Sequence, residues 1–318
     1  MEPFASIVIP AFNAESFLPV ALRSALSAAA GGGVVEIIVV DDGSTDGTAA
    51  LAERFLSDGA VRYKVVRQEN AGPSAARNTG WNAASGDWIQ FLDADDGLES
   101  RKIAVQGIEA ETVGPDIACI YSTWMREERG RSLAVDPCID VDPTLSLLRD
   151  ENFLPVGACL FRREWLRRVR GFDERLRLIE DVDLELRLAM SGGRFHKAGS
   201  IDPLFTYKFR EGSLSRLSWH AFMEGCERNA RLAQDYWARS EGAIDGERRK
   251  LLLAIYENVL RIFSTTDRQG FARVQARVRE LWPDFVPSNA NVRRLSRLVG
   301  MRNAYRLREC FRTARGLT

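Results

Sequence analysis

Carboxylates gather at three points of the chain: Asp41-Asp42-Gly43-Ser44-Thr45-Asp46, Asp93-Ala94-Asp95-Asp96, and Glu180-Asp181 with Asp183. The first follows the apolar run Glu36-Ile37-Ile38-Val39-Val40, and the second follows Trp88-Ile89-Gln90-Phe91-Leu92. An apolar, β-branched run that stops at acids reads as a buried strand delivering carboxylates to its exposed end. Grouped carboxylates repel, and their joint ionisation becomes tolerable when a hard divalent cation sits among them. Such a cation can bridge to a diphosphate and neutralise a leaving group. The plainer reading of any one cluster is that Asp caps helices and shapes turns, and that acids favour the first turn of a helix. Two acidic strand ends in one sheet favour a site.

The elements that would position these groups alternate in the first hundred residues. Strands are expected at Ser6 to Pro10, Glu36 to Val40, Val61 to Val66 and Asp87 to Leu92, separated by helical patterns, which predicts a parallel sheet covered by helices. Asn13 is expected to cap the first helix, Ser44 or Thr45 the second, and Gly72-Pro73 to open the third. In open α/β sheets ligands bind beyond the carboxyl ends of the strands, which is where Pro10 to Asn13, Asp41-Asp42 and Asp93 to Asp96 fall. Further on, a helix is expected at Arg101 to Thr112 and strands at Ile117 to Ser122, Ala158 to Phe161, Arg194 to Lys197 and Asp202 to Phe209. The stretch up to Asp150 reads as loose, and Glu180 to Ser191 as a helix. Long helical patterns follow from Ser218, placing a boundary near Arg216, so residues 1–215 and 216–318 are expected as two regions.

The 318 residues carry 44 basic and 44 acidic side chains, so no global field favours nucleic acid. Neutrality hides a basic end, since residues 291–318 hold eight arginines against the single acid Glu309. Five scattered cysteines without a C-x-x-C pair suggest neither a disulfide framework nor a zinc site, and fit a reducing cytosol. Neither a secretory leader nor a run of about 20 apolar residues is evident, so the expectation is a cytoplasmic protein.

Four segments together resemble the family 2 glycosyltransferases of GT-A fold, bacterial and inverting: Ile7 to Asn13, Val40 to Thr48, Asn70 to Asn78, and Phe91 to Asp96. The resemblance spans roughly residues 5–215 and implies an α/β GT-A domain, with a helical C-terminal extension that it does not explain. It implies a nucleotide-diphosphate sugar donor, a UDP-sugar by preference, and a glycan or lipid-linked glycan acceptor. The donor's base and ribose map onto Pro10, Phe12, Asn13, Asp41 and Asp42, with Phe12 stacking on a pyrimidine and Asp42 accepting the imide N–H of uracil. Asp93-Ala94-Asp95 matches the metal-binding D-x-D motif, with Asp95 the direct ligand of Mn²⁺ or Mg²⁺ and Asp93 acting through ribose or water. Arg77 or Asn78 reaches the diphosphate or donor sugar, unless Arg77 is an exposed helix-face charge. In the late acidic motif Asp181 is the general base, and Glu180 orients the acceptor or supports the turn. Arg210 stands where many relatives carry histidine, and pairs with diphosphate oxygens instead.

The resemblance leaves two competing readings to weigh: an inactive nucleotide-sugar-binding or partner subunit, and a dinucleotide oxidoreductase. The intact acidic motifs argue against the first, and the absence of G-x-G-x-x-G after the first strand argues against the second. At the basic end, Leu295, Leu298, Val299, Met301, Tyr305, Leu307 and Phe311 interleave with the arginines. That pattern suits either an amphipathic helix lying peripherally on the inner face of a membrane or one packed on protein with a solvated basic face.

Overall fold

The computed structural model of the chain describes residues 2–31, 33–57, 61–176, 178–209, 218–242 and 244–314. Met1–Ser213 and Leu214–Thr318 form two compact units.

The first unit opens with β1 (Ala5–Ala11), α1 (Leu18–Gly31), β2 (Val35–Asp41), α2 (Thr48–Ser57), β3 (Arg62–Arg67), α3 (Pro73–Ala83) and β4 (Trp88–Phe91). Every residue of β1 and β2 is buried, as expected of central strands covered on both faces. β5 (Gly97–Leu98), α4 (Lys102–Thr112), β6 (Ile117–Tyr121), β7 (Trp124–Glu128), β8 (Arg131–Val135) and α5 (Pro143–Ser146) follow. The unit continues with β9 (Cys159–Arg162), α6 (Arg163–Val169), α7 (Glu180–Met190), β10 (Arg194–Lys197) and β11 (Phe205–Phe209).

The main sheet has the order β10-β6-β9-β4-β1-β2-β3. β3, β2, β1 and β4 run parallel, and β9 is antiparallel to both β4 and β6. Strand order reverses direction at β1, so the crevice beyond β1, β2 and β4 is the place where loops diverge and a ligand can enter. Helix α3 packs close over this point: a Cβ added to Gly80 would lie 2.3 Å from Val8 Cγ1 and 3.2 Å from Val40 Cγ2. That closeness fixes the face of α3 carrying Arg77 and Asn78.

The predicted mainly parallel α/β architecture holds, with differences in detail. Asn13 does not cap α1; it takes a left-handed conformation (φ 47°), which Asn tolerates, and faces the β2 loop. The Thr48 N–H at the start of α2 is taken by Asp46 Oδ1 at 3.0 Å, so the acid rather than Ser44 or Thr45 performs the capping. The stretch expected to be loose contains the β7–β8 hairpin. Its turn is Arg129-Gly130, both at positive φ (50° and 74°), as a two-residue hairpin of the I′ kind requires. With β5 and β11 it makes a second, four-stranded sheet of order β5-β11-β7-β8.

The second unit is helical: α8 (Trp219–Glu241), α9 (Gly246–Thr266), α10 (Arg268–Leu281), α11 (Ala290–Val299) and α12 (Met301–Ala314). Ser218, Asp245, Asp267 and Asn289 accept the first-turn N–H groups of α8 to α11 in turn. Trp237, Tyr256, Phe263, Phe271 and Tyr305 are its largest fully buried side chains. Among the described residues no helix is long and apolar enough to cross a membrane.

Candidate functional site

The loops after β1 and β2 are stitched together. Asn13 N–H donates to Ser44 Oγ (2.9 Å), Thr45 N–H to Asn13 Oδ1 (2.9 Å) and Gly47 N–H to Glu15 Oε2 (3.0 Å). Pro10 is buried opposite Val40, whereas Phe12 stands 49% exposed beside the crevice. A ring left half in water by a loop this well braced is available for stacking on a planar ligand.

Asp41 is fully buried and accepts Ser44 N–H and Arg67 Nε–H, both at 3.1 Å. Asp42 is 3% exposed and accepts four bonds: Gln68 Nε2–H (2.7 Å) and Ala71 N–H (2.9 Å) at Oδ1, Asn70 Nδ2–H (3.2 Å) and Gly72 N–H (2.9 Å) at Oδ2. Four acceptor positions are what a carboxylate has, so no acceptor remains for a uracil imide. Asp42 therefore shapes the 68–72 loop, with its carboxylate oxygens engaged by protein donors. Gly43 takes part in the same loop contact, since at φ 77° a Cβ there would lie 2.8 Å from Asn70 N. The sequence assigned Gln68 and Asn70 no role, because it exists only once β2 and β3 are paired.

Arg77 connects the two remaining acidic clusters. Its Nη2–H donates to Asp93 Oδ1 and its Nη1–H to Glu180 Oε1, each at 2.7 Å, and its guanidinium lies 5.3 Å from the Phe172 ring centroid. It is buried, so it is not an exposed helix-face charge, and both of its terminal nitrogens bond carboxylates. Burial opposes its charge, but Asp93 and then Glu180 outweigh that and raise its pKa. Asn78, the other candidate for the diphosphate, is also committed: Nδ2 donates to Phe172 O and Glu174 Oε1, and Oδ1 accepts Phe172 N–H and Trp81 Nε1–H. These bonds hold the 172–176 loop that leads into α7. Immediately before α7, Ile179 sits at φ 60°, a left-handed conformation costly for a β-branched residue. No sequence signal marked this left-handed residue before Glu180 and Asp181.

Asp181 is half-buried at the start of α7, with Oδ1 accepting Val182 N–H at 2.9 Å. Burial, then the charge of Glu180, pushes its pKa up to about 7, against the pull of the Val182 N–H and Arg77. A carboxylate set there can take a proton near neutral pH far better than an ordinary one. At the end of β4, Asp93 and Asp95 are partly exposed, whereas Asp96 is buried and accepts Lys208 N–H at 2.8 Å. Burial, and then the charges of Asp93 and Asp95, raise the Asp96 pKa well above its ordinary value. Asp93, whose Oδ1 pairs with Arg77, and Asp95 beside it gather negative potential of a kind that a divalent cation relieves.

Among the described residues no group of three His, Cys, Asp or Glu could hold a metal alone. Asp95 and Asp93 fit a cation such as Mg²⁺ or Mn²⁺ that takes one or two carboxylates and fills its shell with phosphate and water oxygens. His196 is paired with Glu109 (3.0 Å) and His220 with Glu224 (3.4 Å), so neither serves this cluster. Arg210 lies outside the described residues.

Residues 6–170 match the sequence profile of Glycosyl transferase family 2. The succinoglycan biosynthesis protein ExoO of Rhizobium meliloti is 33% identical over 229 residues, 68% of this chain; the chain spans 63% of that relative's length. Staphylococcus aureus TarS 1-349, crystallised with UDP-GlcNAc, superposes with a TM-score of 0.69 at 18% identity, covering 98% of this chain and 92% of its own. The mannosyltransferase PcManGT of Pyrobaculum calidifontis, in complex with GDP-Man and Mn²⁺, gives 0.55 at 18% identity over 96% of this chain and 87% of its own. Both share the fold, which is the expected GT-A arrangement. Profile, relative and fold agree with the acidic motifs at the sheet's carboxyl edge, and the chain belongs to glycosyl transferase family 2.

Proposed function

We propose that the chain catalyses inverting transfer of a sugar from a nucleotide-diphosphate donor, a UDP-sugar by preference, to a hydroxyl of a glycan or lipid-linked glycan. The observation that carries this reading is the position of Asp181. It is half-buried, its pKa is raised to about 7, and its helix start is tied through Glu180 and Arg77 to Asp93 of the D-x-D loop. Arg77 therefore holds the donor-side and acceptor-side carboxylates in one register.

In the proposed reaction the Asp181 carboxylate accepts the proton of the acceptor hydroxyl while its oxygen attacks the anomeric carbon. The bond from that carbon to the diphosphate oxygen breaks on the opposite face, and the nucleoside diphosphate leaves with the electron pair. When bound, the cation at Asp95 and Asp93 neutralises charge on the leaving diphosphate. Phe12 provides a stacking face for the base, and Pro10, Asn13, Asp41 and Asp42 keep the loops around it in shape. The reading is supported by TarS and PcManGT, whose structures hold UDP-GlcNAc and GDP-Man with Mn²⁺. We place the protein in the cytoplasm, where its five cysteines, none in a disulfide, remain reduced. The test is to supply nucleotide sugars with acceptors and determine the product's anomeric configuration by NMR. Inversion is expected; retention would overturn the single-displacement mechanism.

A further inference from the structure

The second unit contains charge and apolar surface that glycosyl transfer in the first unit does not use. Its residues 218–290 hold eleven basic against ten acidic side chains, whereas 291–318 hold eight arginines against one acid. The positive potential therefore belongs to α11 and α12. That acid, Glu309, pairs with Arg261 at 3.1 Å.

Both helices have one face docked. Val292, Ala304 and Tyr305 are buried, and Tyr305 Oη–H donates to Glu257 Oε1 at 2.9 Å. Beside the docked residues the same helices expose large apolar side chains within a short span: Leu298 (82%), Val299, Leu307 and Phe311 (66%). Arg294, Arg297 and Arg306 are exposed among them. On α12, Leu307 and Phe311 are one turn apart and form a stripe, and Arg308 and Arg312 form the next stripe round the helix.

That second stripe lines a cavity of about 430 Å³ together with Asn258, Arg261, Ser288 and Glu257. Glu257 also lines it, its Oε1 accepting Ser288 N–H at 2.6 Å, so one carboxylate charge is set against the arginines there. Three guanidiniums thus line the cavity, Arg261 in part engaged by Glu309, and outnumber the single carboxylate of Glu257 there. Guanidiniums bind phosphate oxygens well, and an apolar stripe alongside would enter the acyl boundary above which such phosphates lie.

We propose that α11 and α12 dock on an anionic phospholipid bilayer, with Leu307 and Phe311 entering the acyl boundary and the Arg261, Arg308 and Arg312 cavity receiving a headgroup phosphate. A free phosphate would need the cavity but gains nothing from four exposed apolar side chains. The proposal concerns the helical unit and goes beyond the transferase reading, to which it adds a reason why a lipid-linked acceptor would be met at the membrane.

The experiment floats the full-length chain with vesicles of phosphatidylcholine alone or with added phosphatidylglycerol. Strong partition onto the anionic vesicles is expected, falling with added salt, and weak partition onto the neutral ones. Leu307→Asn with Phe311→Asn, and separately Arg308→Gln with Arg312→Gln, should each weaken partition about tenfold or more. All of these residues are at least partly exposed, and unchanged circular dichroism checks the fold. Absence of binding to anionic vesicles, equal binding to neutral ones, or unaltered partition of the Leu307/Phe311 variant would overturn the proposal. Release by millimolar-range inorganic phosphate from wild type, with the apolar variant binding normally, would overturn it in favour of a small-anion site. Donor binding measured on the same samples separates the two readings, since its loss would count against the transferase reading alone.

Discussion

Replacing Arg77 by Met tests whether the guanidinium joins the two acidic motifs. The substitution keeps the buried stem and removes the charge between Asp93 and Glu180. Removing one partner of a buried ion pair costs about 3–5 kcal/mol, because the other charge is left uncompensated. Here Glu180 is 13% exposed and Asp93 32%, so solvent recovers part of the Asp93 end and the Glu180 end dominates. The expected loss is about 3–4 kcal/mol, or roughly 6–15 °C in the melting of a unit of this size. Thermal and urea melts of the full chain, followed by circular dichroism, read it. Adding Glu180→Gln removes the stranded charge, so the double variant should recover about 1 kcal/mol or more. A loss under about 1 kcal/mol for Arg77→Met, or a double variant less stable than the single, would refute the bridge.

Other expectations follow from the same geometry. The folded Asp181 carboxyl titrates at about 7, above its ordinary 3.8, so its contribution to stability is complete below about 4 and is lost as pH rises through 7. Asp181→Asn should therefore match wild type in stability at pH 4 and exceed it by about 2 kcal/mol at pH 8, in paired melts; lower stability at pH 8 would contradict the buried charge. Wild-type transfer should rise with pH through about 7, and Glu180→Gln should move that rise to lower pH; a rise that stays in place would remove Glu180 as a cause. Asp42→Ala should cost about 2–4 kcal/mol, because four donors lose a charged acceptor; full stability with donor binding lost would contradict the loop-shaping role and favour base reading. Chelation with EDTA should weaken donor binding measured by calorimetry, and Asp95→Asn should do the same with metal present, whereas an unchanged affinity in both would exclude the cation from Asp95.

Much of the architecture was readable because the central strands are buried on both faces and so are written as unbroken apolar runs, Ile7 to Ile9 and Ile37 to Val40. The site's acids were readable for the same reason, since each run stops where the sheet ends. The β7–β8 hairpin escaped because its strands are half-exposed and charged, and its turn uses Arg-Gly where Asn-Gly would have announced it. The roles of Asp42 and Arg77 escaped for a different reason. Asp42 is bonded to residues up to 30 positions away and Arg77 to one 103 positions away, so their partners are a property of the folded sheet. Ile179 was illegible because nothing local asks a β-branched residue to adopt a left-handed backbone.

The most direct measurement of the central claim pairs calorimetric binding of a UDP-sugar with transfer rate for Asp181→Asn. Asn keeps the side chain's size and can still accept the Val182 N–H, but it cannot take a proton. Donor affinity within about twofold of wild type is expected, with transfer reduced by about a hundredfold or more, as removal of a general base requires. Transfer at the wild-type rate, with donor bound normally, would contradict the account.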